Sequence, residues 1–297
     1  MNIESSLIGQ SPAIKKLRKE IINVAKSKGH ILLCGPTGVG KTVVGSLVHQ
    51  LAKTHGILVR LSSVSTPDHE IGRVLDKPSS KLSTILIQEI EEFSYLHQTG
   101  IKKFIKRQGK TPSIRVIITS KKGLADMKKG DEILPELFGD IKTFECLEVP
   151  PLGSRREDIP LLVEHFLRRS CESLGVTLKK IDIEALDFIM RREWRDNVRE
   201  LKNVVEDAVL ASEGDTIILP EYLVDELGQL EGMVANIRQK RSFSFDKSLS
   251  NLEKTLILKA LEGTEYHVKK TAEMLNISDA NMQYRLRKFK ILRPNKS

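Results

Sequence analysis

"GPTGVGKT", Gly35 to Thr42, is the stretch on which the fold turns. It matches G-x-x-x-x-G-K-[ST] at every fixed position, follows the apolar run HILLCG, and opens the amphipathic stretch KTVVGSLVHQLAKTHG. A glycine-rich turn between a buried strand and a helix lets successive backbone N–H groups converge on one anion, with the positive end of the helix aimed at the same point. The reading is a phosphate loop. Gly35, Pro36, Thr37, Gly38, Val39 and Gly40 cradle the phosphates, Lys41 reaches the β and γ oxygens, and the Thr42 hydroxyl ligates magnesium. ATP with Mg2+ is the expected cofactor. A glycine turn with no ligand is the plain alternative, and the strand before and helix after weigh against it. The motif speaks for binding and is silent on hydrolysis.

Working outward, the flanking sequence alternates between two periods. SPAIKKLRKEIINVAKS has apolar residues at helical spacing, with Ser11 as N-cap and Pro12 in the first turn. Gly56 is the expected stop of the helix after the phosphate loop. Strand-like ILVRLSS and TILIQEI follow, then a helix over Tyr95–Arg107 and the strand SIRVIITS. Strands alternating with helices predict an α/β fold, a parallel sheet covered on both faces, over residues 1–147. After VPPLGSRREDIP come three helical segments with no strand between them, a helical subdomain over 148–231. GMVANIRQKRSFSFDK, 232–247, reads as a linker, and 248–297 as an all-α domain.

Composition narrows the functional classes. Of 297 residues, 40% are apolar and 29% charged, and no apolar run approaches the roughly 18–20 residues needed to span a bilayer. The beginning, MNIESSLIGQSPAIKK, has no basic start followed by an apolar block. Cys34, Cys146 and Cys171 are far apart in sequence and fit no metal spacing, so the expectation is packing in a reducing cytoplasm. Net charge is +9, and from Val234 onward fourteen Lys/Arg stand against six Asp/Glu, leaving about +1 on the first 233 residues. A near-neutral body with a basic terminal module points to a polyanion partner.

HVKKTAEMLNIS followed by DANMQYRLRKFK reads as helix, tight turn, helix. Thr271, Ala272 and Leu275 face inward on the first helix, Asn276 suits the left-handed turn, Ile277 plugs the gap, and Met282, Leu286 and Phe289 form the buried face of the second. A recognition helix sets its N-terminal half against base edges. The candidate DNA contacts are Ser278, which also serves as N-cap, Asn281, Gln283, Tyr284, Arg285, Arg287 and Lys288. Asn281 and Gln283 suit adenine; the three cations suit phosphate or guanine. Asp279 is read as serving the helix dipole rather than cytosine. A helical bundle that never meets DNA is the plain alternative.

LIGQSPAIKKL, the phosphate loop, PPLGSRREDIPLL and WRDNVREL together resemble the central AAA+ domain of bacterial enhancer-binding proteins, the sigma-54-dependent activators. LEKTLILKALEGTEYHVKKTAEMLNISDANMQYRLRKFKI resembles their Fis-type helix-turn-helix. The resemblance implies an AAA+ α/β domain, a helical lid and a DNA-binding domain. It assigns Glu89 as the carboxylate that polarises the attacking water and Arg199 as the second sensor on the nucleotide phosphates. An ion pair of Arg199 with Glu200 or Asp196 is the plain alternative. It also implies dimerisation through LEKTLILKALEG and half-sites one helical turn apart.

Four departures stand beside the matches. Gln88 occupies the place of the family's magnesium-steadying aspartate, and Lys121 that of the first-sensor asparagine. Leu134 to Val149, where the family carries arginine fingers, has no arginine; Lys142 lacks the planar fork. The sigma-contacting GAFTGA loop is missing, because only DKPSSKLS separates RLSSVSTPDHEIGRVL from TILIQEI. All four fall on ring assembly, ATP turnover and polymerase contact. The expectation is an ATP-binding, sequence-specific transcription regulator, weak or inactive in hydrolysis and unable to contact sigma-54. Its partners are double-stranded DNA, a second copy through the C-terminal domain rather than a hexamer, and RNA polymerase or another regulator; no membrane is expected. Cytoplasm and nucleoid are the expected location. With the AAA+ segment starting near Leu7, no N-terminal sensing domain is expected. Two other readings remain: an ATPase that remodels complexes with a finger supplied in trans, and a structural DNA-bridging protein.

Overall fold

The computed structural model describes residues 3–52, 56–109, 112–212, 214–217, 253–254, 257–258, 260–261, 264, 266–275, 277–289 and 291. The expected linker at 232–247 and the turn residue Asn276 lie outside them. The chain divides into two units, 1–223 and 224–297.

The first unit is built on five parallel strands: β1 (Ile31–Cys34), β2 (Ile57–Ser62), β3 (Leu82–Gln88), β4 (Arg115–Ser120) and β5 (Glu145–Glu148), in the order β2-β3-β4-β1-β5. The central strands are apolar because both faces are covered. One face carries Leu32, Ile85, Ile87 and Ile118 against Phe104 and Ile101; the other carries Ile31, Leu33, Leu86 and Ile117 against Ile14, Leu17 and Val44. After the short helix α1 (Ile3–Ser6), α2 (Pro12–Lys26) starts where the sequence places it, with the Ser11 hydroxyl accepting from the Ile14 N–H. The helix after the phosphate loop, α3 (Lys41–Leu51), ends before Gly56 and so corrects the expected stop. Gly56 is needed for a different reason: a Cβ there would lie 2.5 Å from Ser83 Cβ and 2.6 Å from the Lys81 carbonyl, so glycine permits the close approach to β3.

The remaining helices of the sheet are α4 (Asp68–Asp76), α5 (Tyr95–Gln108), α6 (Leu124–Met127) and α7 (Pro135–Ile141). A 3-10 segment, Leu152–Asp158, then leads into three helices with their own core: α8 (Ile159–Leu174), α9 (Ile183–Arg191) and α10 (Asn197–Ala211). Trp194 closes that core, its indole N–H donating to the Ile189 carbonyl at 3.1 Å. Asp158 ties the two parts together. Fully buried, it accepts from the Gln10 N–H at 2.6 Å, the Ser11 N–H at 2.8 Å and the Ser11 hydroxyl at 2.6 Å.

The packing expectation holds for Cys34 and Cys171, both buried in apolar clusters, and fails for Cys146. Cys34 and Cys146 lie on neighbouring strands with their sulfurs 3.8 Å apart, and Cys146 is exposed.

In the second unit, α11 (Val268–Met274) and α12 (Asp279–Lys288) form the helix pair. Ala272, Met282 and Leu286 are buried with Ile257 and Leu261, and Leu275, Ile277 and Phe289 pack against them. The inward face read from the sequence is the inward face of the fold. No helix among the described residues is long and apolar enough to cross a membrane.

Candidate functional site

Gly35–Gly40 connects the carboxyl end of β1 to α3, outside the sheet edge where open α/β folds bind ligands. Gly38 and Gly40 have φ of 75° and 105°, conformations that turn the N–H groups inward and that side chains resist. The loop faces a cleft of about 530 Å3, walled on the other side by α8 and α10. Leu7, Ile8, Phe166 and Val198 supply its apolar surface, and Arg155, Arg169 and Lys202 its charge. Those apolar positions went unread because they come from three separate segments.

Lys41 is almost fully buried. Its ammonium donates to the carbonyls of Gly35 at 2.7 Å and Pro36 at 3.0 Å, and pairs with Glu89 at 3.0 Å. Glu89 itself has φ 56°, with its N–H held by the Thr119 hydroxyl at 2.9 Å. A non-glycine residue in this region costs about 1–3 kcal/mol and persists only where its surroundings enforce it. Glu89 Oε2 is buried with no hydrogen-bond partner among the described residues.

Gln88 and Thr42 do meet. The Gln88 amide nitrogen donates to the Thr42 hydroxyl oxygen at 2.8 Å. An aspartate would offer two acceptor oxygens, one for the hydroxyl proton and one for a metal-bound water; an amide offers one acceptor and a donor. The loop therefore fits a triphosphate, and Thr42 with Gln88 fits a magnesium ion with half the usual acceptors.

Lys121 lies beside the loop, among carboxylates. Its ammonium sits 2.5 Å from Glu92 and 3.8 Å from Glu89, and its N–H donates to Glu91 at 2.6 Å. The hydrogen bond to Glu92, with the neighbouring carboxylates, raises its pKa. Lys121 thus belongs to an acidic cluster beside the loop.

α10 grips the phosphate loop directly. Asn197, with φ 49°, donates from its amide to the Thr37 carbonyl at 2.8 Å and accepts from the Leu152 N–H at 2.8 Å. The Arg199 N–H donates to the Gly38 carbonyl at 3.2 Å, and the Asp196 carbonyl approaches so closely that a Cβ on Gly38 would lie 1.9 Å from it. The Arg199 guanidinium lines the cleft and pairs with Asp196 at 3.3 Å, which is the plain alternative read from the sequence. Arg155, 2% exposed, donates to the Val39 carbonyl at 3.2 Å, and burial lowers its pKa against the Asp158 charge. Asn197 and Arg155 sit inside motifs quoted for their neighbours, and their bonds span over a hundred residues.

On α12, Ser278 caps the helix by accepting from the Asn281 N–H at 3.3 Å. Tyr284 is 62% exposed, Asn281 and Arg287 are exposed, and Gln283 is half-buried. Arg285 and Lys288 are less free than expected. Glu253 pairs with Arg285 at 2.7 Å and with Lys288 at 2.9 Å, and Arg285 also reaches the Asn281 side-chain oxygen. Lys288 first, then Arg285, holds the Glu253 carboxyl below its usual range. No local pattern signals this pairing, because Glu253 lies 32 residues from Arg285.

Comparison with known proteins matches this arrangement in order. A Sigma-54 interaction domain covers residues 8–152, an AAA+ ATPase lid domain 154–237, and a Fis-family bacterial regulatory domain 248–289. Similar proteins include the phenol regulator MopR of Acinetobacter guillouiae, 28% identical over 95% of this chain and 56% of its own length. The response regulator protein PilR of Pseudomonas aeruginosa is 26% identical over 97% of this chain and 71% of its own. The transcriptional regulatory protein ZraR of Salmonella typhimurium is 29% identical over 92% and 66%. The chain thus spans between about half and three quarters of the length of these relatives. In fold it is similar to NtrX from Brucella abortus crystallised with ADP, with a TM-score of 0.66, 21% identity, and coverage of 96% of this chain and 70% of that one. Parallel sheet, lid and helix-turn-helix agree with the three matched domains, and the chain belongs to the family of sigma-54-dependent bacterial regulators built from an AAA+ domain and a Fis-type DNA-binding domain.

Proposed function

We propose that this chain is a transcription regulator that binds ATP without hydrolysing it quickly and docks its C-terminal helix pair on specific double-stranded DNA. The observation that carries the reading is the Gln88 amide donating to Thr42, at the place where a hydrolysing site needs a second acceptor. Thr37, Gly38, Val39 and Gly40 supply backbone N–H groups to the phosphates, Gly35 and Pro36 shape the turn around them, Lys41 supplies charge, and Thr42 with the Gln88 oxygen would hold Mg2+. Arg199 reaches the phosphates by leaving Asp196, and Glu89 is placed to orient a water. A bound magnesium ion would neutralise the phosphate oxygens.

Support for slow turnover comes from position as well. Leu134–Val149 offers no arginine to a neighbouring copy, and a missing finger costs roughly 10³ to 10⁵ in rate, about 4–7 kcal/mol of barrier. The connection from β2 to β3 is α4 with short flanks, which supports the reading that the sigma-contacting loop is missing. A nucleotide-bound NtrX structure has the same fold and has been crystallised with ATP, which supports the pocket assignment here. The regulator acts at the nucleoid as a homodimer through 252–263, with RNA polymerase or another regulator as its protein partner.

Steady-state turnover measured beside a nucleotide titration tests the reading. We expect saturable ATP binding with turnover on the order of a thousandfold below a working AAA+ ATPase. Brisk hydrolysis by the isolated protein would overturn it. Turnover that appears only with a second protein would favour remodelling with a finger in trans.

A further inference from the structure

Cys34 and Cys146 are 112 residues apart in sequence, yet their sulfurs are 3.8 Å apart across the β1–β5 ladder. Cys34 is buried at the last position of β1, and Cys146 is exposed on the edge strand β5. The register pairs Leu32 with Cys146 and Cys34 with Glu148, so the two thiols are offset by two residues. A strand spacing near 4.8 Å and a rise near 3.3 Å put their Cα atoms roughly 8 Å apart. Unstrained disulfides span at most about 6.8 Å, so bridging this pair requires backbone movement.

The backbone that must move adjoins the phosphate loop. Cys34 immediately precedes Gly35, whose N–H donates to the Ser120 carbonyl at 3.2 Å. The Val149 N–H donates to the Cys34 carbonyl at 2.8 Å, and a Cβ on Gly35 would lie 2.5 Å from the Val149 carbonyl. Gly35 is thus wedged between β4 and the end of β5, and a pull on Cys34 is transmitted to the loop.

We propose that Cys34 and Cys146 are a hydroperoxide-sensitive thiol pair whose reversible disulfide displaces Gly35 and weakens nucleotide binding. The second half of this statement rests on the nucleotide reading above; the first does not. The Cys146 thiolate attacks one oxygen of hydrogen peroxide, the O–O bond breaks, and hydroxide leaves, taking up the Cys146 proton as water. The product is a sulfenic acid on Cys146. The Cys34 sulfur then attacks the Cys146 sulfur, an S–S bond forms, the S–O bond breaks, and the Cys34 proton leaves with the hydroxyl as a second water. Two thiols are oxidised by two electrons and one peroxide is reduced to two waters. The order of events follows from exposure and acidity. The hydrogen bond between the two sulfurs lowers the Cys146 thiol to about 7, against burial and the Glu148 charge. The same bond, with burial, raises Cys34. A strained bridge is more easily reduced, which makes the change reversible.

The test is a thiol count by intact mass. The protein is treated with hydrogen peroxide, quenched with catalase, denatured and alkylated with N-ethylmaleimide. Reduced protein takes three adducts, one for each cysteine in the chain. After peroxide we expect a single adduct, on Cys171, with three restored by dithiothreitol. Cys146→Ser, a surface change, should retain both remaining adducts. Three adducts after peroxide, a sulfinic acid on Cys146 with Cys34 still alkylated, or a cross-link between copies on a non-reducing gel would each overturn the bridge. In parallel, affinity for a fluorescent ATP analogue should fall at least tenfold on oxidation, recover with dithiothreitol, and stay constant in Cys146→Ser. A closed bridge with unchanged affinity overturns the coupling to the loop. If reduced protein binds no ATP, the nucleotide reading fails and the coupling with it, and the thiol count alone decides the bridge.

Discussion

Gln88 shows how much one atom can decide. Its amide nitrogen, 2.8 Å from the Thr42 hydroxyl, is a donor where an aspartate would put an oxygen. Changing Gln88→Asp restores the second acceptor and a negative charge beside the metal. Calorimetric titrations should show Mg-ATP binding tightened by about tenfold, the scale of one charge-assisted hydrogen bond, while binding in EDTA weakens or stays level. Turnover should rise only slightly, because no arginine lies within Leu134–Val149 to stabilise the transition state. A large rise in kcat would show that Gln88 alone holds hydrolysis back. Glu89 tests the same site from the other side. It pairs with Lys41 at 3.0 Å, so it competes with phosphate for the ammonium. Glu89→Gln should release Lys41 and raise ATP affinity several-fold in a fluorescence titration. A loss of affinity would mean that Glu89 shapes the loop rather than competing for its lysine.

Between elements, two carboxylates hold the parts in place. Asp158, at the start of α8, accepts three hydrogen bonds from Gln10 and Ser11 at the start of α2. Asp158→Ala strands three donors, two of them buried, a loss of about 3 kcal/mol or more. By calorimetry the first unit should melt roughly 6–12 °C lower. In the second unit, Glu253 clamps Arg285 and Lys288. Its folded pKa is depressed, so the clamp adds stability above the unfolded carboxylate value and loses it as pH falls through the lower folded value. Thermal melts of wild type should therefore lose stability in acid more steeply than melts of Glu253→Gln, and equal slopes would reject the clamp. These bonds also mark where the sequence stops being legible. Ser11 and Ser278 as caps, the buried face of α12 and the loop before α3 were all readable, because each depends on residues within a turn of one another. The hold of Asp158 on Ser11, Asn197 on Thr37 and Glu253 on Arg285 joins residues 147, 160 and 32 positions apart. No periodicity reports such pairs; only the folded chain brings them together. Gly56 failed as a helix stop for the same reason, since the contact that demands glycine is with β3.

At the scale of the whole molecule, charge separates the two tasks. Residues from Val234 onward carry a formal surplus of eight positive charges, and the remainder about one. Neutralising a phosphate releases a counterion, and log affinity falls with log salt by about 0.9 per contact. Since Glu253 occupies two of the cations on α12, the slope should be shallower than a count of lysines and arginines suggests. Three single changes separate the contributions in a salt series on a cognate duplex. Arg287→Ala, at an exposed cation, should flatten the slope by about 0.9 and leave site preference intact. Asn281→Ala should leave the slope alone and reduce preference for the cognate site by tenfold or more, the worth of a paired contact to adenine. Lys41→Ala abolishes the charge in the phosphate loop and should leave the slope unchanged, because counterion release belongs to the basic unit. A slope that moved with Lys41 would place part of the DNA contact on the nucleotide-binding body. It would also mean that the near-neutral formal charge of the first 233 residues hides a local basic surface.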